Sequence, residues 1–114
     1  MKVLVINSSK EISIKLTEII SECPEVDCVE QSIDTLDAVN KLTSLSPDVV
    51  VIDVSMPPIT SKHLIEKIKR DTPSTKVLVL TDSNYAIYRK ECSNVGADYF
   101  LDKYSELGRL PELL

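Results

Sequence analysis

The stretch Val49-Val50-Val51-Ile52-Asp53-Val54-Ser55-Met56-Pro57-Pro58 decides the fold. Four β-branched residues in a row read as a strand buried on both faces, which is the signature of a parallel sheet covered by helices on either side. Asp53 ends this run and puts a carboxylate at the strand's carboxyl end. Working outward, residues 2–6 (KVLVI) and 76–80 (KVLVL) have the same continuous apolar character. Residues 99–101 form a shorter strand, and residues 26–30 a weaker one suited to an edge. Between the strands, apolar residues recur at helical spacing: Ile12, Leu16, Ile19 and Ile20 within residues 10–22, and Leu36, Val39, Leu42 and Leu45 within 35–45. Leu64, Ile65 and Ile68 do the same within 61–70. A fourth helix spans 85–94 and ends at Gly96, and a brief last one falls within 106–114.

Five strands alternating with five helices imply right-handed βαβ crossovers and an α/β fold. In such sheets the functional groups gather beyond the carboxyl ends of the strands. The residues placed there are Asn7-Ser8, Asp53, Thr81-Asp82 and Asp102-Lys103. The chain of 114 residues is one domain's worth, and its 43% hydrophobic content argues against disorder. Thirteen Lys and Arg against eighteen Asp and Glu leave a net charge of −5, so no overall field draws the chain onto nucleic acid. No apolar run reaches the length of a membrane span, and the N-terminus lacks the features of a signal peptide; a cytoplasmic location is expected. Cys23, Cys28 and Cys92 form neither a C-x-x-C pair nor a His/Cys cluster, so free thiols are expected.

An Asp, a hydroxyl and a Lys at one sheet edge suit a phosphoryl group. The carboxylate can accept it, while the ammonium and hydroxyl bind its oxygens. No glycine-rich phosphate loop follows the first strand and no hydrolase triad is evident, so no enzyme is expected.

On VVVIDVSMPP around Asp53, VLVLTDS around Thr81 and VGADYFLDK ending at Lys103, the chain resembles a receiver domain of the bacterial two-component response regulator family. The separations of 28 residues from Asp53 to Thr81 and 22 from Thr81 to Lys103 are typical of that family. The resemblance covers essentially the whole chain as one receiver domain, residues 1–114, with no output domain expected. It implies the flavodoxin-like sheet order 2-1-3-4-5, with helices on both faces. It also implies Asp53 as phosphoacceptor, Thr81 as the hydroxyl that follows the phosphoryl group, Lys103 as the family's invariant lysine and Phe100 as its rotating aromatic.

One match fails. The family carries two adjacent acids where this chain has Asn7 and Ser8, and with the phosphoacceptor those acids hold Mg²⁺. A hard dication prefers charged oxygen ligands, and Asn7 and Ser8 offer neutral oxygens at best. The site charge changes from net −2 to zero, and Asp53 and Lys103 are expected to neutralise each other. No cofactor is expected, and Mg²⁺ only weakly if at all, through Asp53 and the Ser55 carbonyl. The loop after Asp53 also departs from the family, with Pro57-Pro58 in place of a glycine turn.

The resulting expectation is an atypical stand-alone receiver in a phosphorelay, with Asp53 as candidate phosphoacceptor and output through protein contacts. The alternative is a phosphorylation-independent pseudo-receiver that acts purely as a binding module. Expected partners are a histidine kinase or phosphotransfer protein and a downstream protein effector, with a homodimer as a further option and neither nucleic acid nor membrane. The partner face is expected at Tyr85, Tyr88, Arg89 and Tyr99.

Overall fold

The computed structural model describes residues 1–7, 9–53, 58–81 and 86–114. Its elements alternate in chain order: β1 (Lys2–Ile6), α1 (Lys10–Ser21), β2 (Cys28–Ser32), α2 (Thr35–Leu45), β3 (Val49–Asp53), α3 (Pro58–Asp71), β4 (Lys76–Thr81), α4 (Ala86–Asn94), β5 (Tyr99–Asp102) and α5 (Leu110–Leu113), the last preceded by a 3₁₀ turn over Leu107–Arg109. The strands make one parallel sheet in the order β2-β1-β3-β4-β5, as the resemblance implies. Every residue of β3 is buried.

Alternate residues of the central strands feed two apolar layers, because successive side chains leave opposite faces of a strand. Leu4, Ile6, Val50, Ile52, Val77 and Val79 pack under α2, α3 and α4, where Ala38, Leu64, Ile65, Ile68 and Cys92 meet them. Val3, Val5, Val49, Val51, Leu78 and Leu80 pack on the other face against Leu16 and Ile20 of α1 and Leu110 of α5. No helix among the described residues is long and apolar enough to cross a membrane.

Several boundaries differ from the sequence reading for identifiable reasons. β2 starts at Cys28 rather than residue 26, because Val26 N–H bonds Cys23 O at 3.1 Å and Asp27 N–H bonds Met1 O at 2.8 Å in the turn before it. α3 starts at Pro58 rather than near Ser61; proline's fixed φ suits the first helical position, where no amide donor is needed. Leu36 is 74% exposed rather than inward. At 3.6 residues per turn it sits roughly 160° around α2 from buried Ala38.

The amino ends of the strands are cross-braced by direct hydrogen bonds. Asp48 accepts from Lys2 N through Oδ2 at 2.7 Å and from Lys76 N through its carbonyl at 2.9 Å. Thr75 Oγ1 donates to Pro47 O at 3.0 Å. Asp98 Oδ2 accepts from Val77 N at 2.8 Å and from Lys69 Nζ at 2.7 Å.

α4 ends where the sequence places its cap. Gly96 has φ +112°, and Ala97 N–H returns to Cys92 O at 3.0 Å. A Cβ built at Gly96 would lie 2.7 Å from Lys69 Cγ. Gly96→Ala is therefore expected to destabilise the fold by about 1–2 kcal/mol, from backbone strain and displacement of Lys69, as measured by urea denaturation.

Candidate functional site

The register brings the candidate residues to one edge. Ile6 pairs with Ile52, Asp53 with Leu80 and Thr81 with Asp102, so β1, β3, β4 and β5 all end at nearly the same level. Asp53, at the end of β3, is 1% exposed. An ionised carboxylate so deeply buried needs compensation. Among the described residues, Lys103 Nζ lies 3.3 Å from Asp53 Oδ1, and Asn7 Nδ2 donates to Asp53 Oδ2 at 3.0 Å. The Asp53–Lys103 pairing is the one the sequence leads one to expect.

Lys103 is delivered by a turn that its neighbours build. Lys103 N–H bonds Thr81 O at 3.0 Å, extending the β4–β5 ladder by one residue. Asp102 Oδ1 accepts from Tyr104 N at 2.8 Å and Ser105 N at 3.0 Å, and Glu106 Oε1 accepts from Asp102 N at 3.0 Å. The Tyr104 N–H, then that of Ser105, holds the Asp102 carboxyl below its usual range. The Asp102 N–H and then Arg109 do the same for Glu106.

Asn7 is wholly buried and bonds on both sides of its amide. Its Oδ1 accepts from Ser9 N at 2.7 Å, just ahead of α1, while its Nδ2 faces Asp53. Both neighbours demand this orientation, since a backbone N–H can only donate and a carboxylate can only accept. The sequence reading treats Asn7 as a degenerate metal position with a neutral oxygen at best; in the structure its nitrogen faces Asp53. A hard dication needs several oxygens converging on it. Among the described residues, an amide N–H₂ and an ammonium face the two oxygens of Asp53. Among the described residues no three His, Cys, Asp or Glu side chains gather into a metal set. Ser8 and Ser55 lie outside the described residues.

Thr81 is fully buried, and its Oγ1 accepts from Arg89 Nε at 3.1 Å. The guanidinium carbon of Arg89 stands 5.9 Å from the ring centroid of half-buried Phe100. The sequence reading assigns Arg89 to a partner face and misses both contacts; its one available signal is a long cationic side chain on the helix that follows Thr81.

The expected partner face needs one correction. Tyr88 is 4% exposed and packs with Cys92, one helical turn on, so it belongs to the core. The i, i+4 spacing of Tyr88 and Cys92 already places them on one face of α4. Burial raises the pKa of the Tyr88 phenol, and the charge on Asp53 pushes it the same way. Tyr99 is 39% exposed on the edge strand, with Lys76 Nζ 5.6 Å from its ring centroid. Tyr85 lies outside the described residues.

This sheet order, with a carboxylate, a hydroxyl and a lysine at its carboxyl edge, is the layout of a receiver domain. The response regulator receiver domain model matches residues 3–114, and the chain belongs to that family. It is 30% identical over 115 residues to protein-glutamate methylesterase/protein-glutamine glutaminase 1 of Methanospirillum hungatei, covering 99% of this chain and 34% of that protein. The crystal structure of the response regulator domain of Thermotoga maritima CheB is 28% identical with a TM-score of 0.80, over 99% of this chain and 90% of that one. The isolated REC domain of RcsB from Salmonella enterica serovar Typhimurium superposes with a TM-score of 0.85 at 23% identity, over 98% of this chain and 83% of that one. The chain spans about a third of the length of the curated relatives it matches. It is thus a receiver domain of the response regulators that serve two-component signalling.

Two outcomes test the geometry. Lys103→Met leaves Asp53 buried without its cation and is expected to cost about 3 kcal/mol, while the double change Asp53→Leu with Lys103→Met recovers much of that loss. Chemical denaturation of the three proteins reads the difference. The depressed carboxyls of Asp102 and Glu106 contribute stability that is complete above the ordinary carboxylate range and is lost as pH falls below about 4, through their lower folded values. NMR titration should therefore show the turn at residues 102–106 holding at pH 5 and loosening in acid.

Proposed function

We propose that this receiver domain works in two-component signalling as a protein-binding module whose Asp53 site is balanced internally rather than by a divalent cation. The observation that carries the reading is the Asn7 amide, which donates to Asp53 Oδ2 while accepting from Ser9 N–H. Together with Lys103 it engages both oxygens of the carboxylate from within the chain. The site then needs no bound metal to be ordered. Input and output both run through protein contacts, by docking to a histidine kinase or phosphotransfer protein and to a downstream effector protein, in the cytoplasm and without enzymatic activity of the domain's own. Exposed Tyr99 and its neighbour Lys76 offer an amphipathic patch for such contacts. The net charge of −5 disfavours nucleic acid as the partner.

A second reading keeps Asp53 as a phosphoacceptor. It is favoured by the convergence of Asp53 and Lys103 at one edge with Thr81 at the end of the adjacent strand.

The experiment compares the wild-type chain with the double variant Asn7→Asp, Ser8→Asp in thermal melts with and without Mg²⁺. Mass spectrometry after incubation with acetyl phosphate accompanies the melts. The wild type is expected to show no Mg²⁺-dependent rise in Tm and no rapid modification of Asp53. The variant is expected to melt lower without metal, because three close carboxylates repel one another, and to recover with Mg²⁺ bound to the native state. Millimolar Mg²⁺ stabilisation of the wild type together with fast modification of Asp53 would overturn the proposal in favour of the second reading.

A further inference from the structure

The contacts of Arg89 point to a role that neither family membership nor the reading of Asp53 assigns. Its Nε lies 3.1 Å from Thr81 Oγ1, at the end of β4. Its guanidinium carbon stands 5.9 Å from the ring centroid of Phe100 on β5, close enough for a cation–π contact. The negative charges of Asp102 and Glu106, held low chiefly by backbone N–H groups, also lie within its field, which adds a small push the same way. One side chain of α4 therefore meets two strands beside the Asp53 edge.

We propose that Arg89 is a positioning residue that couples the conformation of Thr81 to the placement of α4. The chemistry of the hydroxyl supports this. An Nε–H bond occupies one lone pair of Oγ1, so the Thr81 proton cannot point toward Arg89 and stays available to another acceptor. Donation from a cation also polarises the O–H and strengthens it as a donor. A change of the Thr81 rotamer breaks the bond, and α4 then loses this polar tie to β4 while its apolar packing and the Arg89–Phe100 contact remain. The state of the hydroxyl is thereby carried to a helix at the surface, whether the cause is a phosphoryl group on Asp53 or a docked protein.

The test uses Thr81→Val, Thr81→Ser, Arg89→Gln and the double variant Thr81→Val, Arg89→Gln. NMR reads the Arg89 Nε–H resonance, and hydrogen exchange reads the amides of residues 88–94. The expected result is an Nε–H signal that persists near neutral pH in the wild type and in Thr81→Ser but vanishes in Thr81→Val. Exchange in α4 should quicken by at least about threefold in Thr81→Val and in Arg89→Gln, stay near the wild-type rate in Thr81→Ser, and quicken no further in the double variant, the non-additivity of two residues acting through one contact. Arg89→Gln removes a partly exposed side chain, so that arm stays readable even if burying a valine at position 81 disturbs the fold. An Nε–H signal unchanged by Thr81→Val, or single effects that multiply in the double variant, would overturn the coupling.

Discussion

A carboxylate buried at the end of β3 has to be compensated, and the carboxyl edge of this sheet is arranged around that requirement. Taking an ionised carboxylate from water costs several kcal/mol unless a charge partner and hydrogen bonds replace the solvent. Lys103 supplies the charge, and Asn7 supplies a second donor on the other oxygen. Each supplier is itself held by local structure. Lys103 follows a strand whose ladder continues through its own amide and lies within the turn closed by Asp102 and Glu106. Asn7 is fixed between Asp53 and the chain leading into α1. The loops after β1 and β5 thus take shapes that serve one buried charge in a third strand.

The form of this compensation bears on how the domain would signal. A site neutralised by a bound ion changes its charge when the ion leaves, whereas one neutralised by its own side chains keeps the same charge at any ion concentration. In the proposed reading, free energy to shift the domain between conformations comes from differential binding of partner proteins. Arg89 fits that economy of parts: it belongs to α4 and reaches the ends of β4 and β5 through a hydrogen bond to Thr81 and a ring contact with Phe100.

The chain's architecture could be read because its strands are extreme. Val49 to Ile52 has no polar face to present, and the repeats at Val3–Ile6 and Val77–Leu80 leave a parallel sheet as the sole arrangement that covers them all. The site's carboxylate and lysine were legible because strand ends in such a sheet converge whatever the helices do. What the sequence did not disclose depends on direction rather than residue type. An asparagine can offer an oxygen or a nitrogen, and the Ser9 amide settles which one faces Asp53. Tyr88 has the chemistry of a contact residue but the helical phase of a core residue, and the phase prevails. Leu36 is the reverse case, apolar but on the outer side of α2. Arg89 escaped because a long side chain can reach several partners, and nothing in its sequence neighbours selects Thr81.

The bracing at the opposite end of the sheet has a mechanical consequence. Asp48, Thr75 and Asp98 join the starts of β1, β4 and the segments before β3 and β5 through backbone donors and acceptors, with Lys69 adding α3. Those bonds leave the amino ends little freedom to slide past one another. Displacement that begins at the carboxyl edge must then be taken up as tilting about that fixed floor. If α4 pivots on its C-terminal cap at Gly96, a displacement at Thr81 is felt most at the helix's N-terminal half, where Arg89 sits, and fades toward the cap.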